Sequence, residues 1–332
     1  MVEKSSEGSR RREAAGDARP VDLGRLRTRS LFERKDLVTT DQFGRATDEA
    51  DGISAFLAGL PDVLAARGLR ELARAICSAR RQGKPVVMAM GAHVIKCGLG
   101  PFVIDLMERG YVSAIAMNGA GPVHDFEIAC KGSTSEDVAA ELGEGEFGMA
   151  RETAEAMASA AEGSAKDESG LGRAVGRMIN QRRLPHREMS VLAAAARLEL
   201  PATVHVAIGT DIVHMHPTVS AAAIAEASHL DFRILCDVVS RLDGGVWLNV
   251  GSAVVLPEVF LKALTVARNL GHRVEDFTAG DMDMLRHYRP EKNVLSRPGG
   301  RAYSITGHHE IMLPLLRMAV LVEDAEGGSD KG

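Results

Sequence analysis

The sequence predicts an α/β protein built on a doubly wound, mostly parallel Rossmann-like sheet with helical elaborations. The main observation is the segment from Lys84 to Ile128, where two apolar strand-like runs each end in glycine and flank an amphipathic helix. Two such strands joined by a helix form a βαβ unit of a parallel sheet. Strand, glycine-bearing turn and helix then recur along the chain. In sheets of this kind, ligands bind at the carboxyl ends of the strands.

Apolar and β-branched runs bounded by glycine or proline predict the strands. The predicted strands are 86–90, 111–117, 202–208, 245–250, 274–279 and 302–306. Helical periodicity predicts most of the rest. The main predicted helices are 189–198, 219–227, 232–241, 257–269 and 310–322.

Three segments need separate interpretation. Residues 52–82 are predicted to form two helices broken near Gly68, and residues 134–184 are helical in pattern with an exposed loop at 162–170. Residues 288–300 are predicted to be a loop, because their prolines and glycines oppose regular structure.

The length and composition favour a single folded domain between two polar ends. The chain has 332 residues, of which 45% are hydrophobic and 26% charged. Residues 1–35 are predicted to be a disordered or docking tail, residues 36–322 the α/β domain, and residues 323–332 a disordered tail.

Charge and cysteine content exclude several classes of function. The net charge is −5 and no long basic stripe is present, so nucleic acid is not an expected partner. No apolar run reaches the roughly 18 residues of a membrane span, and the N-terminus lacks the apolar core of a signal peptide. The four cysteines are scattered and form no metal-binding pair, which is typical of a reduced, cytoplasmic protein.

Four predicted strand ends carry glycine: Gly91, Gly119 with Gly121, Gly209 and Gly251. Glycine lets backbone N–H groups approach a phosphate, and a helix N-terminus favours negative charge. Together they suggest a nucleotide or dinucleotide, although the standard G-x-G-x-x-G sequence is missing. Each glycine taken alone can equally serve a tight turn.

A histidine–aspartate pair follows the second predicted strand. Histidine titrates near neutral pH, so His124 can act as a general acid or base if a carboxylate such as Asp125 orients it. The structural alternative is that Asp125 caps a helix and His124 is a polar residue of the first turn.

A second histidine cluster follows the third predicted strand. In an extended segment His214 and His216 point to the same side, with Asp211 close by, which is a plausible metal set or an ordinary pocket wall. A metal-dependent hydrolase using these three residues is therefore an alternative function, although we predict no metal. His308 and His309 open the closing helix and either line the same cleft or lie exposed.

Five motifs in this order resemble the deoxyhypusine synthase family, in particular its bacterial branch and the related homospermidine synthases. The resemblance covers roughly residues 80–320. The motifs are AMGAHVIKCGL (89–99), AGPVHDFEI (120–128), AIGTDIVHMHP (207–217), NVGSAVVLPEVFLKAL (249–264) and TGHHEIMLPLL (306–316).

The resemblance implies an NAD-binding fold and a homotetramer with NAD at a subunit interface. It also implies a transferase that moves an aminobutyl group from a polyamine such as spermidine to an amine acceptor. A lysine of the enzyme holds the group as an imine in this family. The acceptor is not identified by the sequence.

The resemblance, together with the glycine turns, assigns candidate residues. Those for the cofactor are Gly91, His93, Gly119, Gly121, Asp211, Gly251, Ser252, Thr278 and Ala279. Those for the substrate are Asp211, His216, Glu258 and His308. His124 or His214 is the expected base, with Asp125 orienting it.

The largest departure from the family is the catalytic lysine. The family's Ser-Trp-Gly-Lys is replaced by the sequence around Lys292 and Arg297. Arginine stays protonated and is poorly nucleophilic, so it cannot form an imine. Either Lys292 or Lys96 takes the role, or the transfer has no covalent intermediate, or the chemistry differs. A non-catalytic or regulatory NAD-binding protein of the same fold is a further alternative.

Overall fold

The structure, a computed structural model, describes residues 20–329. The chain divides into two compact units, and the boundary between them in the sequence falls between Asp41 and Gln42. The described part of the first unit contains short, exposed 3₁₀ turns at Leu23–Arg25 and Leu31–Glu33. Residues 1–19 of the predicted tail and residues 330–332 lie outside the described residues.

The second unit is built on a six-stranded sheet in which every neighbouring pair is parallel. Its strands are β1 (Val86–Met90), β2 (Ala114–Asn118), β3 (Ala202–His205), β4 (Val246–Val250), β5 (Thr278–Asp283) and β6 (Arg301–Thr306). The strand order is β3-β2-β1-β4-β5-β6, the order of the Rossmann fold. The predicted parallel α/β sheet is therefore confirmed, and the strand order reverses between β1 and β4.

Twelve α-helices accompany the sheet in the described part of the chain. The first six are α1 (Gly52–Gly59), α2 (Leu64–Arg81), α3 (His93–Lys96), α4 (Gly100–Glu108), α5 (Ala120–Lys131) and α6 (Val138–Glu144). The others are α7 (Arg151–Asp167), α8 (Leu171–Gln181), α9 (Val191–Arg197), α10 (Ala221–Ser240), α11 (Val255–Asn269) and α12 (His309–Ser329). Across residues 20–329, none of these helices combines the length and apolarity that a membrane crossing requires.

Helices cover both faces of the sheet. On one face, Met88 and Met117 join a core with α2, α5, α8, α9 and α12. On the other face, Val87 and Trp247 pack with α10 and α11, and the Trp247 ring stacks on Phe260 at 4.1 Å between centroids. Burial on both faces explains why β1 is an unbroken apolar run rather than an alternating one.

Several helix boundaries differ from the prediction, and the first difference lies within residues 52–82. The break between α1 and α2 lies at residues 60–63, and Gly68 is inside α2, where a Cβ would stand 3.6 Å from Tyr303. Arg70 holds the true break by donating to the carbonyl oxygens of Leu60 and Pro61. A second difference is that α10 is one continuous helix, although two were predicted over residues 219–241.

β5 begins four residues later than the sequence pattern predicts. The amides of Glu275 and Asp276 both donate to Asp243, at 2.9 and 2.8 Å, which holds this segment outside the ladder. Residues after β5 also differ, because Pro290–Ser296 is a π-helix where a loop was predicted. Asn293 stabilises it by donating to Glu258 and accepting from Arg297.

The closing helix α12 runs to Ser329, beyond the predicted end at residue 322. Asp324 explains the extension, since it accepts a hydrogen bond from Tyr111 at 2.8 Å and pairs with Arg80 at 3.1 Å. Residues 323–329 are thus helix in place of the predicted disordered tail.

Candidate active site at the carboxyl edge of the sheet

The loops after β1 and β4 touch each other where the strand order reverses. A Cβ built on Gly91 would stand 2.1 Å from the carbonyl oxygen of Gly251, so any side chain at position 91 would force the loops apart. Since all six strands are parallel, the other candidate loops open at this same edge. Gly91 and Gly251 therefore lie at the crevice where doubly wound sheets bind their ligands.

Two histidines lie beside this crevice. His93 opens α3, and its ring meets that of His309 edge-to-face, with centroids 5.9 Å apart. His309 is 2% exposed, and burial lowers the pKa of its ring against a smaller opposing effect of Asp283, whose Oδ1 lies 3.9 Å away. Ser252 is also buried here, but its hydroxyl accepts from the amide of Leu256, so it caps the first turn of α11.

A cavity of about 250 Å³ opens at the ends of β2 and β3, and we refer to it as the β2–β3 cavity. Its polar lining consists of Lys96, Asn118, His124, Glu127, Ser135, Glu136, Thr210 and Asp211. A lysine, a histidine and several carboxylates thus surround one small space.

His124 is connected to Glu127 through Thr134. The Thr134 hydroxyl donates to Glu127 Oε2 and lies 2.7 Å from His124 Nδ1. A hydroxyl has a single proton, so Thr134 accepts from Nδ1–H, which leaves Nε2 of the neutral ring as the free base. The His124 side chain is 18% exposed at the cavity. A histidine ring held in this way has the geometry that a general base requires.

Glu127 is the carboxylate partner that the sequence analysis missed. Burial would raise its pKa, but hydrogen bonds with His124, Thr134 and Thr153 outweigh that effect and lower it. The signal was present in the sequence, because residues three apart share one face of a helix, and Glu127 follows His124 by three. Thr134, in contrast, comes from the segment after α5.

Asp211 also lines the cavity. It is 8% exposed, and burial raises the pKa of its carboxyl, while a 2.8 Å hydrogen bond from the amide of Ala207 and the neighbouring His214 oppose the rise. Asn118 contributes a further acceptor, since its Oδ1 is buried with no hydrogen-bond partner among residues 20–329. The cavity therefore offers acceptors to a ligand that carries N–H or O–H groups.

Asp125 does not line this cavity. It is 1% exposed and accepts hydrogen bonds from the Ser190 hydroxyl and from the amides of Val191 and Leu192. Burial raises its pKa to about 6 against these three bonds. The Asp125 carboxylate therefore caps α9, and the side chains hydrogen-bonded in sequence with His124 are Thr134 and Glu127.

Three other candidate residues also lie away from the cavity lining. Lys292 is on the π-helix, 41% exposed and 3.8 Å from Glu291. Glu258 pairs with Lys262 and Arg289 beside α11. His308 is 66% exposed. The lysine that the fold brings to the cavity is Lys96, at the end of α3.

Thr278 and Ala279 lie at the wrong end of β5 for the expected contact with a cofactor. They begin the strand, whereas the ligand edge is at Asp283, which is about 16 Å away at 3.3 Å per residue. Thr278 accepts from Arg301 at 3.5 Å, and Ala279 is buried in the core beneath α11. We therefore remove both from the cofactor site.

The three residues of the alternative metal-dependent interpretation, His214, His216 and Asp211, do not converge. His216 Nε2 lies 2.7 Å from the carbonyl oxygen of Gly148, and both ring nitrogens of His214 are buried without a partner in the described residues. Within residues 20–329, no three His, Cys, Asp or Glu side chains are placed to hold a metal ion. The remaining glycines differ in role: Gly121 packs against Met117, and Gly209 has open space around it.

No family model matches the sequence, and no curated protein matches it. Solved structures do resemble the fold. A conserved protein assigned as LOR/SDH from Methanococcus maripaludis has a TM-score of 0.51 at 14% identity, over 89% of this chain and 74% of the other. A protein assigned as a deoxyhypusine synthase from Entamoeba histolytica has a TM-score of 0.47 at 12% identity, over 83% and 96%.

The arginine dihydrolase ArgZ from Cyanobacteria is a third neighbour, with a TM-score of 0.46 at 16% identity over 76% of this chain. This chain spans only 31% of the length of ArgZ. At such identities the likeness to the Methanococcus protein establishes a shared α/β fold and nothing finer.

Proposed function

We propose that this protein is an NAD-dependent enzyme that acts on an amine substrate in the β2–β3 cavity. The reaction we propose is transfer of an aminobutyl group from a polyamine such as spermidine to an amine acceptor. The observation that carries the proposal is the meeting of Lys96, His124 and Asp211 around one cavity at the ligand-binding edge of the sheet.

The acidic lining supports a cationic substrate. A buried ammonium is costly unless carboxylates or other acceptors surround it. Asp211 and Glu127 supply carboxylates on the lining of the cavity. These groups can hold an ammonium while a neighbouring carbon lies near the lysine.

The residues at the edge fit a dinucleotide. Asn118 ends β2, where Rossmann folds place the side chain that binds a ribose hydroxyl, and its free Oδ1 can accept such a bond. Gly91, His93 and Gly251 would adjoin the cofactor at the crevice between β1 and β4. When bound, NAD would supply the hydride acceptor for oxidation of the amine carbon.

Lys96 is the residue we propose for the covalent step. As the amine carbon is oxidised to an imine, His124 Nε2 would accept the proton that the amine nitrogen loses. The amine of Lys96 would add to the imine carbon, and the shorter diamine would leave with that proton. The acceptor amine would then displace Lys96, which restores the free lysine and leaves the group on the acceptor as an imine. Return of the hydride from the reduced cofactor would convert that imine into the product amine and restore NAD. Glu127 and Thr134 would keep the ring of His124 in the required orientation.

We also propose a homotetramer. Large apolar side chains near the carboxyl edge are exposed, including Val254 at 48%, Leu285 at 64% and Ile311 at 62%, and a second copy of the chain would cover them. Light scattering coupled to size-exclusion chromatography measures the mass directly, and a monomer at micromolar concentration would contradict the tetramer.

The experiment that tests the function combines NAD titration by calorimetry with a turnover assay. Purified protein with saturating NAD, spermidine and putrescine is analysed for new polyamines by mass spectrometry. New products together with NAD binding would support aminobutyl transfer. NAD binding without products would favour a regulatory NAD-binding protein, and absence of NAD binding would refute the proposal.

A further inference from the structure

A second polar cavity, of about 410 Å³, lies between α7 and α10, and we refer to it as the α7–α10 cavity. Its polar lining residues are Ser164, Glu168, Glu226, His229 and Arg233. The three from α10 follow one another at spacings of three and four, so they share one face of the helix. None of the five lines the β2–β3 cavity.

Ser164 is the first sign that a ligand is needed here. The residue is fully buried, and its hydroxyl has no hydrogen-bond partner in the described part of the chain. Two further buried atoms lack a hydrogen-bond partner: Ser169 Oγ, in the turn after α7, and Asp231 Oδ1, on α10. Buried polar atoms are nearly always hydrogen-bonded, so this junction lacks a polar partner.

The charges around the cavity are the second sign. Glu168 ends α7 with a φ of +49°, and Glu226 and Arg233 project from α10. Among residues 20–329, no ion pair neutralises any of these three. Two anionic groups and one cationic group therefore face the same space without pairing with one another.

We propose that the α7–α10 cavity binds a small zwitterion with one ammonium and one carboxylate, such as a free α-amino acid. The Arg233 guanidinium can bind the carboxylate through two parallel hydrogen bonds. Glu168 and Glu226 pair with the ammonium, and the Ser164 hydroxyl gains its missing partner. This site is separate from the proposed catalytic cavity and does not depend on the reaction assigned there.

Thermal unfolding of the full-length protein tests the proposal. The melting temperature is measured with each of the common L-α-amino acids at millimolar concentration, since a ligand of the folded state raises it. The best amino acid is then compared with the amine that lacks its carboxylate and the acid that lacks its ammonium. Only the zwitterion is expected to raise the melting temperature. No rise with any amino acid, or equal rises with either half-molecule, would overturn the proposal.

Variants of the lining residues show whether the amino acid binds in the α7–α10 cavity. Arg233→Gln is expected to abolish the ligand-induced rise, whereas Arg241→Gln, at the C-cap of the same helix and outside the cavity, retains it. Ser164→Ala is expected to raise the melting temperature of the free protein, because it removes an unpartnered buried hydroxyl, and to reduce the ligand-induced rise. A rise that survives in both Arg233→Gln and Glu226→Gln would mean that the amino acid binds elsewhere.

Discussion

Asp211 lies directly against Gly119, so closely that a Cβ built on Gly119 would stand 2.0 Å from Oδ2 of Asp211. The same oxygen accepts a 2.8 Å hydrogen bond from the amide of Ala207. The absence of a side chain at Gly119 therefore creates the space for this carboxylate, and the contact joins the loops after β2 and β3.

Gly119→Ala is expected to displace Asp211. Gly119 has a φ of −63°, so alanine tolerates the backbone and the effect comes from the collision alone. We expect a loss of about 1–3 kcal/mol in the free energy of unfolding, as for other overpacked sites, and weaker amine binding. Urea denaturation measures the first and calorimetry with spermidine the second.

Gly163→Ala is the matched control for this substitution. Gly163 lies within α7, and a Cβ there would meet nothing within 4 Å. Alanine is the better helix former, so this variant should gain up to about 1 kcal/mol. If Gly119→Ala were as stable as Gly163→Ala, the position of Asp211 would not depend on Gly119.

The sheet could be predicted from the sequence because its signals are local. β1 is an apolar run that ends at a glycine, and the predicted bounds, Val86 to Met90, are the observed ones. The sequence also predicts that Asp211 and His124 lie at the same edge of the sheet, because each follows a strand and the carboxyl ends of parallel strands lie together.

The partners within the site could not be predicted, because they depend on contacts between distant segments. Asp125 caps a helix that begins 66 residues later, at Val191. Lys96 lines the cavity from the end of α3, which packs against α5, while Lys292, nearer the family's lysine in sequence, lies elsewhere. The predicted start of β5 was wrong for a similar reason. Asp243, which is distant in sequence, accepts hydrogen bonds from the segment before Thr278 and holds it outside the sheet.

Lys96→Arg should abolish polyamine turnover, whereas Lys292→Arg should not. Arginine preserves the charge at either position but cannot form an imine. Turnover with spermidine and putrescine is compared with NAD binding, which we expect both variants to retain. Loss of turnover in Lys292→Arg with retention in Lys96→Arg would reverse the assignment of the lysine.

Thr134→Val tests the connection between His124 and Glu127. Valine has the shape of threonine but no hydroxyl, so the Nδ1–H of His124 loses its acceptor and Glu127 loses a donor. We expect the free energy of unfolding to fall by about 1–2 kcal/mol, and turnover to fall because the ring of His124 is no longer held in place.

The matched control for that variant is Thr265→Val. The Thr265 hydroxyl donates to the carbonyl oxygen of Leu261 on the exposed side of α11, away from the cavity. Turnover should be unchanged in this variant. An equal loss of activity in both variants would show that the hydroxyl of Thr134 has no specific role.

Asp231 should make the stability of the protein fall as pH rises. Burial raises its pKa from 3.8 to about 8, against hydrogen bonds from the amides of Gly172 and Val204. The folded state therefore binds a proton that the unfolded state has released between these pH values. The resulting stabilisation is complete below about pH 4 and is lost as pH rises through about 8.

Asp231→Asn isolates this contribution. Both amides donate to Oδ2 of Asp231, at 2.9 and 2.8 Å, and a single asparagine oxygen can accept both. The variant should lack this loss of stability with rising pH and become more stable than the wild type above about pH 8. Urea denaturation over a pH series measures the difference. Asp243 should contribute to stability with the opposite pH dependence. Hydrogen bonds from the amides of Glu275 and Asp276 lower the pKa of Asp243, so its stabilisation is present at neutral pH and is lost on acidification. Asp243→Asn should therefore lack that acid-side loss of stability. Parallel pH profiles for Asp231→Asn and the wild type would mean that Asp231 is not the buried acid responsible.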